Sequence, residues 1–248
     1  MTFFSNLFSS KAQLPTLDLS LLNVDMHSHF IPGIDDGAKT IEESVELITA
    51  LHHLGYKKII TTPHIMSDFF KNTPEIILEG LEKVRAALRN AAISIEVEVA
   101  AEYYLDFDFE RKIDTEKLLT FGKNYLLFEI SYMNPPENLD HIIFKLRTCG
   151  YKPVLAHPER YNFWHTKFEK YQEIRDKGTL LQLNINSLTG YYSPQTKKIA
   201  QQMIDKDMID FLGTDCHHIG HVDLLKKSIK EKHLQKILSS GRLLNNTL

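Results

Sequence analysis

Short apolar runs alternate with longer amphipathic segments along almost the whole chain, and this alternation restricts the fold more than any other feature. The runs are four to seven residues long and rich in β-branched residues, as buried strands are. The segments between them repeat apolar residues with the helical period, as in 40–54, where Thr40 and Glu43 match a capping box and Gly55 follows the last turn. The seven runs are 22–26, 58–62, 95–101, 125–130, 153–156, 180–185 and 209–212.

Strands that alternate with helices predict a parallel sheet with crossover helices. About seven such units in 248 residues favour a closed barrel over a small open sheet, with an irregular or missing eighth unit. The sequence has no internal repeat, low-complexity tract or linker, so we predict a single domain over 1–248. The predicted helices are 40–54, 74–92, 138–149, 165–177 and 194–206.

We expect residues 1–21 to form a short arm packed on the barrel, because the apolar residues there have the spacing of one helical face. A helix lying on a membrane surface is the alternative, which the single basic residue of the segment disfavours. The segment does not resemble a secretory signal, and no apolar run in the chain reaches the roughly 18 residues of a membrane span. We therefore expect no stable membrane insertion. The apolar residues of the arm are Phe3, Phe4, Leu7 and Phe8.

Composition and cysteine content narrow the classes of function. The formal net charge is −3, and the sequence lacks the basic surface of a protein that binds nucleic acid. The two cysteines, Cys149 and Cys216, are too few for a disulfide framework and fit a reducing cytoplasm. Neither is followed by Arg six residues later, as the phosphate loop of a cysteine-nucleophile phosphatase requires. We therefore expect Cys216 to be a buried, inert thiol.

Candidate metal ligands stand at the ends of the predicted strands. His27 and His29 are two residues apart, so their imidazoles point to one side of a strand and can hold a cation together. Such a pair also arises by chance, and a single charged strand end is usually a helix cap. Five further runs end in His, Asp or Glu, however, and a parallel barrel brings these ends to one mouth, where buried charges require partners or metal. The ends are Thr62-Pro63-His64, Ala101-Glu102, Phe128-Glu129, Ala156-His157-Pro158 and Gly213-Thr214-Asp215-Cys216-His217.

The segment Asp35-Asp36-Gly37 follows the first strand after a short loop. An Asp-Gly pair favours a turn, which explains these residues without any function. A carboxylate that folds back over the metal site explains them equally well. The sequence alone supports both interpretations.

Together these segments resemble the polymerase and histidinol phosphatase (PHP) family, and within it the bacterial manganese-dependent protein tyrosine phosphatases that regulate capsule and exopolysaccharide synthesis. The resemblance implies a distorted seven-stranded βα barrel of TIM-like shape, which agrees with the number of runs. The segments most particular to the tyrosine phosphatase branch are Pro32-Gly33-Ile34-Asp35-Asp36-Gly37 and His157-Pro158-Glu159-Arg160-Tyr161. The matching segments are 25–29, 32–37, 61–64, 101–105, 127–129, 156–161 and 214–217.

The resemblance also implies three bound divalent cations. We expect Mn²⁺, with iron or zinc as alternatives, because imidazole and carboxylate ligands suit all three metals. One cation would take His27, His29, Glu102 and Asp215, a second would take Asp36, His64 and His217, and a third would take Glu129, His157 and the bridging Glu102.

The mechanism we expect is direct hydrolysis of a phosphomonoester by a metal-bound hydroxide, without a covalent enzyme intermediate. Arg160, Asp36 and His217 are the expected catalytic residues, with Arg160 holding a phosphate oxygen through its planar guanidinium group. The alternative for Arg160 is a surface ion pair with Glu159 or Asp205.

This sequence departs from the tyrosine phosphatase branch at one place. Members of the branch carry a second Arg soon after the last Asp-x-His motif, where this chain has His218 and His221. Lys226 and Lys227 follow the two histidines. Either histidine can replace the missing phosphate contact or help to protonate the leaving oxygen, or both are plain surface residues. Aromatic residues that follow strand ends can form an apolar wall for an aryl phosphate, although core packing explains any single one. They are Phe69, Phe70, Tyr103, Tyr104, Tyr132, Tyr161, Phe163 and Trp164.

The sequence therefore predicts a metal-dependent protein tyrosine phosphatase. The resemblance implies a cytoplasmic enzyme whose partner is the tyrosine-rich tail of a membrane-bound bacterial tyrosine kinase. A PHP-type small-molecule phosphatase, such as a histidinol phosphatase, is the main alternative. The lack of a basic surface disfavours a phosphoesterase that acts on nucleotides or nucleic-acid ends. The complete set of nine candidate ligands disfavours a non-catalytic scaffold that metal only stabilises.

Overall fold

The computed structural model describes residues 19–248. Of the predicted arm at 1–21, only residues 19–21 are described, within the short 3₁₀ helix Leu19–Leu22, whose first and last residues are buried. The aromatic face predicted for the arm lies outside the described residues. Between residues 19 and 248, no helix combines the length and the apolar character needed to cross a bilayer.

Neighbouring strands in the described part of the chain are all parallel, as the alternation predicts. The strands are β1 (Val24–Asp25), β2 (Lys58–Thr61), β3 (His64–Ile65), β4 (Glu96–Val99), β5 (Glu102–Tyr104), β6 (Tyr125–Glu129), β7 (Lys152–Ala156), β8 (Leu180–Asn184) and β9 (Phe211–Gly213). They form two sheets, with the orders β1-β2-β4 and β3-β5-β6-β7-β8-β9. The predicted α/β class with parallel sheets is therefore confirmed.

Beyond two of the seven predicted runs, 58–62 and 95–101, the chain forms a second short strand, so residues 19–248 contain nine short strands and the predicted number of seven strands is not reproduced. Pro63, which has no amide hydrogen to donate to a ladder, separates β2 from β3 together with Thr62. Directly opposite, Ala100 and Ala101 separate β4 from β5. Beyond the break the Glu102 amide donates to the Pro63 carbonyl oxygen at 3.1 Å, and the chain continues in the second sheet.

The five predicted helices are present with slightly shorter ends, and the part of the chain that the structure describes contains three more. The first helix begins as predicted, because the Thr40 hydroxyl oxygen accepts a hydrogen bond from the Glu43 amide at 3.3 Å. The unpredicted helices are Phe107–Thr115, Ile219–Ser228 and Lys232–Leu238, none longer than ten residues. The helices are α1 (Ile41–His53), α2 (Pro74–Asn90), α3 (Phe107–Thr115), α4 (Leu139–Thr148), α5 (Glu169–Asp176), α6 (Pro194–Asp205), α7 (Ile219–Ser228) and α8 (Lys232–Leu238).

A seam of hydrogen bonds joins the first strand of one sheet to the last strand of the other. Just beyond β1 and β9, the His29 amide donates to the Cys216 carbonyl oxygen at 3.0 Å and the Asp215 amide donates to the His27 carbonyl oxygen at 2.8 Å. At the opposite end of the seam, the fully buried Asn245 side chain acts as a clasp. Its amide group donates to the carbonyl oxygens of Val24 and Leu212, and its oxygen accepts from the Leu212 amide. The seam therefore brings the strand ends that carry predicted ligands side by side.

We predict that Asn245→Ala lowers the free energy of unfolding by about 2 kcal/mol, because it leaves buried carbonyl and amide groups of two strands without partners. Asn246→Ala is the matched control. The Asn246 side chain is exposed and makes one hydrogen bond, to the Leu21 carbonyl oxygen, so its loss should change stability by less than about 0.5 kcal/mol. Urea denaturation followed by circular dichroism measures both. Equal effects of the two substitutions would contradict the clasp.

Candidate metal centre

All nine predicted metal ligands come together at one end of the sheets, where the carboxyl ends of the strands lie. Their ligand atoms fall into four overlapping groups, and within each group the atoms lie within 4.8 Å of one another. The groups are His29, Asp36, His64 and His217; His27, His29 and Glu102; His27, His157 and Asp215; and His64, Glu102 and Glu129.

Glu102, at the start of β5, is the centre of this cluster. Its carboxylate is fully buried, with one oxygen 3.1 Å from Nε2 of His27 and the other 3.0 Å from Nε2 of His157. Nδ1 of His64 lies 3.3 Å from the same carboxylate. Burial opposes ionisation, but the positive charges of His27 and His64 outweigh it and hold the pKa of Glu102 well below its ordinary value. The carboxylate is therefore charged and shared by three imidazoles.

Hydrogen bonds from behind the cluster set the orientation of two histidines. Nδ1 of His27 donates to the side-chain oxygen of Gln182 at 2.8 Å, and Nδ1 of His29 donates to the carboxylate of Asp35 at 2.9 Å. Because Nδ1 of each ring donates to one of these acceptors, Nε2 is the nitrogen directed into the cluster, and loss of its proton would leave it free to bind a cation. The two Nε2 atoms lie 3.3 Å apart. This arrangement gives both imidazoles the tautomer that a metal ligand needs.

Two ligands have backbone conformations that are uncommon for residues with a side chain. His157 has a φ of 36° and Asp215 a φ of 48°, both in the left-handed region. Hydrogen bonds hold them there, since the His157 amide donates to the Gln182 side-chain oxygen and the Asp215 amide to the His27 carbonyl oxygen. Local strain that surrounding bonds maintain is typical of functional sites.

The cluster fits divalent cations by its own chemistry. Nδ1 of His64 is buried without a hydrogen-bond partner, 3.2 Å from a Glu129 oxygen and 3.3 Å from a Glu102 oxygen. Burial opposes protonation of His64, yet the charge of Glu102, followed by the close contact with the Glu129 carboxylate, raises its pKa to about 9. An orphaned nitrogen between carboxylates, among imidazole and carboxylate donors without thiolate, is the environment that a divalent cation satisfies.

Both interpretations of the Asp-Asp-Gly segment apply, one to Asp35 and the other to Asp36. Asp35 is buried and makes the turn, because its carboxylate accepts from the Gly37 amide at 2.9 Å and also holds His29. Asp36 folds over the cluster, with one oxygen 3.3 Å from Nε2 of His217 and 3.6 Å from Nε2 of His64. Its side chain is 57% exposed, so it forms the solvent side of the cluster.

Arg160 lies at the edge of the cluster, not in a surface ion pair with Glu159 or Asp205. Its guanidinium group donates to Asp215 at 3.0 Å. The group is held between two aromatic rings, 4.9 Å from the ring centre of Tyr132 and 4.2 Å from that of Tyr192. Glu159 is instead buried against Ser187 and the amide of Asn184, and Asp205 pairs with Lys236 and His233.

A cavity of about 710 Å³ opens above the ligands. His218 and His221 both line it, and Nε2 of His221 lies 3.3 Å from the Tyr191 hydroxyl. Burial, with the nearby His218, lowers the pKa of His221 to about 4 and keeps this imidazole neutral. Cys216 is fully buried, and burial raises the pKa of its thiol, which confirms the expected inert cysteine.

The aromatic residues named from the sequence separate into three groups. Phe70 and Tyr132 line the cavity, with the Phe70 ring stacked on His64 and the Tyr132 ring stacked on His157. Phe69 is exposed just outside it. The others are buried or half-buried away from the cavity lining, as core packing requires: Tyr103, Tyr104, Tyr161, Phe163 and Trp164.

Sequence reasoning missed the residues that support the ligands. Gln182 and Asn184 occupy alternate positions of β8, point inward and are fully buried. Polar residues two apart in a buried apolar run are the signal that identifies them. Asn184 donates to Asp215 at 2.6 Å, and the Tyr192 hydroxyl donates to the same oxygen at 3.4 Å. Tyr192 follows no predicted strand directly, so nothing in the sequence singles it out.

Comparison with known proteins identifies relatives over most of the described chain. The family of capsular polysaccharide synthesis proteins, CpsB/CapC, matches residues 23–238. The tyrosine-protein phosphatase YwqE of Bacillus subtilis is 27% identical over 197 residues, 79% of this chain and 78% of YwqE.

Solved structures agree with these matches. A chain from the crystal structures of YwqE from Bacillus subtilis and CpsB from Streptococcus pneumoniae, described as metal-dependent tyrosine phosphatases, has a TM-score of 0.77 at 26% identity. The match covers 84% of this chain and 87% of that one. A histidinol phosphate phosphatase from Lactococcus lactis matches with a TM-score of 0.51 at 15% identity, over 84% of this chain and 92% of that one. The latter likeness extends to the fold alone.

We predict that Gln182→Leu weakens divalent metal binding about 10- to 100-fold, because His27 loses the acceptor that fixes its tautomer. Isothermal titration of the metal-free protein with Mn²⁺ measures the affinity. Gln172→Leu, at an exposed position on α5, is the matched control and should bind metal as the wild type does. Unchanged affinity in Gln182→Leu would show that this glutamine does not orient a ligand.

Proposed function

The chain belongs to the CpsB/CapC family of capsular polysaccharide synthesis proteins, and from this membership we propose that it is a metal-dependent protein tyrosine phosphatase. The observation that carries the proposal is the convergence of nine imidazole and carboxylate side chains beside Arg160, at the floor of a cavity with aromatic walls. Ligands for cations, a fixed guanidinium group for phosphate and rings for an aryl group are the three requirements of aryl phosphate hydrolysis.

The metals in this proposal are three divalent cations, with Mn²⁺ as the native ion. The distances support His27, His29, Glu102 and Asp215 as one set of ligands, Asp36, His64 and His217 as a second, and Glu129, His157 and the shared Glu102 as a third. When bound, divalent cations supply Lewis-acid activation of water and neutralise charge on the phosphate.

The side chains of this chain bind and orient the substrate. Arg160 cannot rotate freely between Tyr132 and Tyr192, and its bond to Asp215 ties it to the cluster, so its remaining N–H groups are held ready for phosphate oxygens. A group fixed before the substrate arrives loses little entropy on binding. Asp36 and His217 stand on the solvent side, where water enters, and we assign them the catalytic roles predicted from the sequence.

The barrel predicted from the sequence also belongs to this proposal. If β2 with β3 and β4 with β5 are each counted as one interrupted strand, the nine short strands of the described chain occupy seven positions. The parallel bridge between Ser28 and Cys216 then closes the ring between the first and last positions. We propose that residues 1–248 form one such distorted barrel domain.

The proposed substrate is a phosphotyrosine in the tail of a bacterial tyrosine kinase, reached in the cytoplasm. A small-molecule substrate such as histidinol phosphate has less support, because its imidazole and amine call for polar and acidic contacts outside the ligand cluster. The cavity instead offers Phe70, Tyr132, Tyr191 and Tyr192, which suit an aryl ring.

The test is hydrolysis of p-nitrophenyl phosphate by metal-free and Mn²⁺-loaded protein. We expect chelation to abolish activity and Mn²⁺ to restore it. His157→Ala should lower kcat/KM about 100-fold or more, because one side of the metal and phosphate site is lost. Its circular dichroism spectrum should stay that of the wild type.

His53→Ala, at an exposed position on α1, is the control and should keep full activity. Activity that survives chelation would contradict a metal-dependent phosphatase. Unchanged activity in His157→Ala would remove this residue from the site. Faster turnover of histidinol phosphate than of a phosphotyrosine peptide would favour the small-molecule alternative.

A further inference from the structure

The three most exposed large apolar side chains among residues 19–248 each follow a strand that carries a candidate metal ligand. They are Phe107, Met133 and Phe69, with 85%, 81% and 77% of their surface in solvent. They follow β5, β6 and β3, which are neighbours in the second sheet. We call these three residues the apolar rim. Exposed apolar side chains gathered at one place on a protein usually mark a binding surface.

The apolar rim is continuous with the wall of the catalytic cavity. Phe69 directly precedes Phe70, and Met133 directly follows Tyr132, and both of these neighbours line the cavity. Phe107 is tied to the same edge, because Asp106 accepts a hydrogen bond from the Ser67 amide at 2.9 Å. Whatever enters the cavity from this side must therefore pass over the rim.

The surface beside the rim lacks the excess of positive charge that would bind a polyanion or an anionic membrane. A small cavity next to it is lined by Lys71 and Lys112 but also by Asp108, and Lys112 pairs with Asp108 at 3.0 Å. A membrane-binding surface would show an excess of Lys and Arg around its apolar residues. With Asp68 and Asp106 directly before Phe69 and Phe107 in the sequence, Lys and Arg are not in excess beside the rim, which fits a polypeptide whose contacts with the rim are apolar.

We propose that the apolar rim binds apolar side chains that flank the phosphotyrosine in the substrate protein, and so selects among phosphotyrosine sites. The inference rests on the proposed function and extends it from the reacting group to the residues around it. When a phosphotyrosine reaches the cluster at the cavity floor, the residues before and after it lie at the mouth. Apolar neighbours there lose their contact with water together with Phe69, Phe107 and Met133.

The experiment compares two phosphotyrosine peptides of equal length and charge, with leucine or with serine at the two positions on each side. Fluorescence anisotropy with their difluoromethylphosphonate analogues measures binding without turnover. We expect wild type to bind the leucine peptide about tenfold more tightly. In Phe69→Ser/Phe107→Ser/Met133→Ser the two affinities should agree within about twofold, while kcat/KM for p-nitrophenyl phosphate changes by less than about twofold.

The matched control is Leu78→Ser/Phe144→Ser, which removes two exposed apolar side chains from α2 and α4 and should keep the preference for leucine. Equal affinities in the wild type, or a preference that survives the triple substitution, would overturn the proposal.

Loss of p-nitrophenyl phosphate turnover in the triple variant would also overturn it, because the rim would then belong to the catalytic site. Flotation with phosphatidylglycerol vesicles that depends on the rim, without any peptide preference, would assign the rim to a membrane instead. If the wild type prefers the leucine peptide but hydrolyses no aryl phosphate, the proposed function is refuted, while the binding of apolar side chains by the rim is supported.

Discussion

The structure of the site depends on one buried negative charge, the carboxylate of Glu102. A carboxylate removed from water is costly unless positive charge or hydrogen bonds compensate for it. Here the compensation comes from His27, His64 and His157, which reach the same carboxylate from three other strand ends. Divalent cations placed among these groups would satisfy the carboxylate and the orphaned nitrogen of His64 together. The carboxylate of Glu102 therefore joins histidines from three other strand ends into one candidate metal site.

The rest of the structure holds this arrangement in place from behind. Gln182 and Asp35 orient the histidines of the first strand, and the seam beyond β1 and β9 holds their backbone next to Asp215. The same carboxylate of Asp215 faces the histidines with one oxygen and Arg160 with the other. In the proposed function, Asp215 would therefore couple phosphate recognition by Arg160 to metal binding by the histidines.

The sequence was sufficient to predict what depends on local patterns. The alternation of runs predicts parallel strands, and parallel strands bring the residues at their carboxyl ends together, which is why His27, His29 and the five further charged strand ends could be expected at one mouth. The full set of nine candidate ligands, which includes Asp36 from a loop, follows from the resemblance to the PHP family. The sequence did not predict what depends on contacts between distant residues. The interruption at Pro63 changes the number of strands. Asn245 joins β1 to β9, and its partner in β1, Val24, lies 221 residues away in the sequence. The spacing of Gln182 and Asn184 in a buried run marks them as unusual, but it does not say which side chains they support, and no spacing marks Tyr192.

The central claim is that side chains from separate strands share divalent cations around Glu102. X-ray diffraction from crystals grown with Mn²⁺, with data collected on both sides of the manganese absorption edge, tests it most directly. The account predicts anomalous peaks within coordination distance of the Glu102 carboxylate and of the imidazoles of His27, His64 and His157. Crystals whose manganese peaks lie elsewhere, or whose Glu102 contacts only protein and water at saturating Mn²⁺, would contradict it.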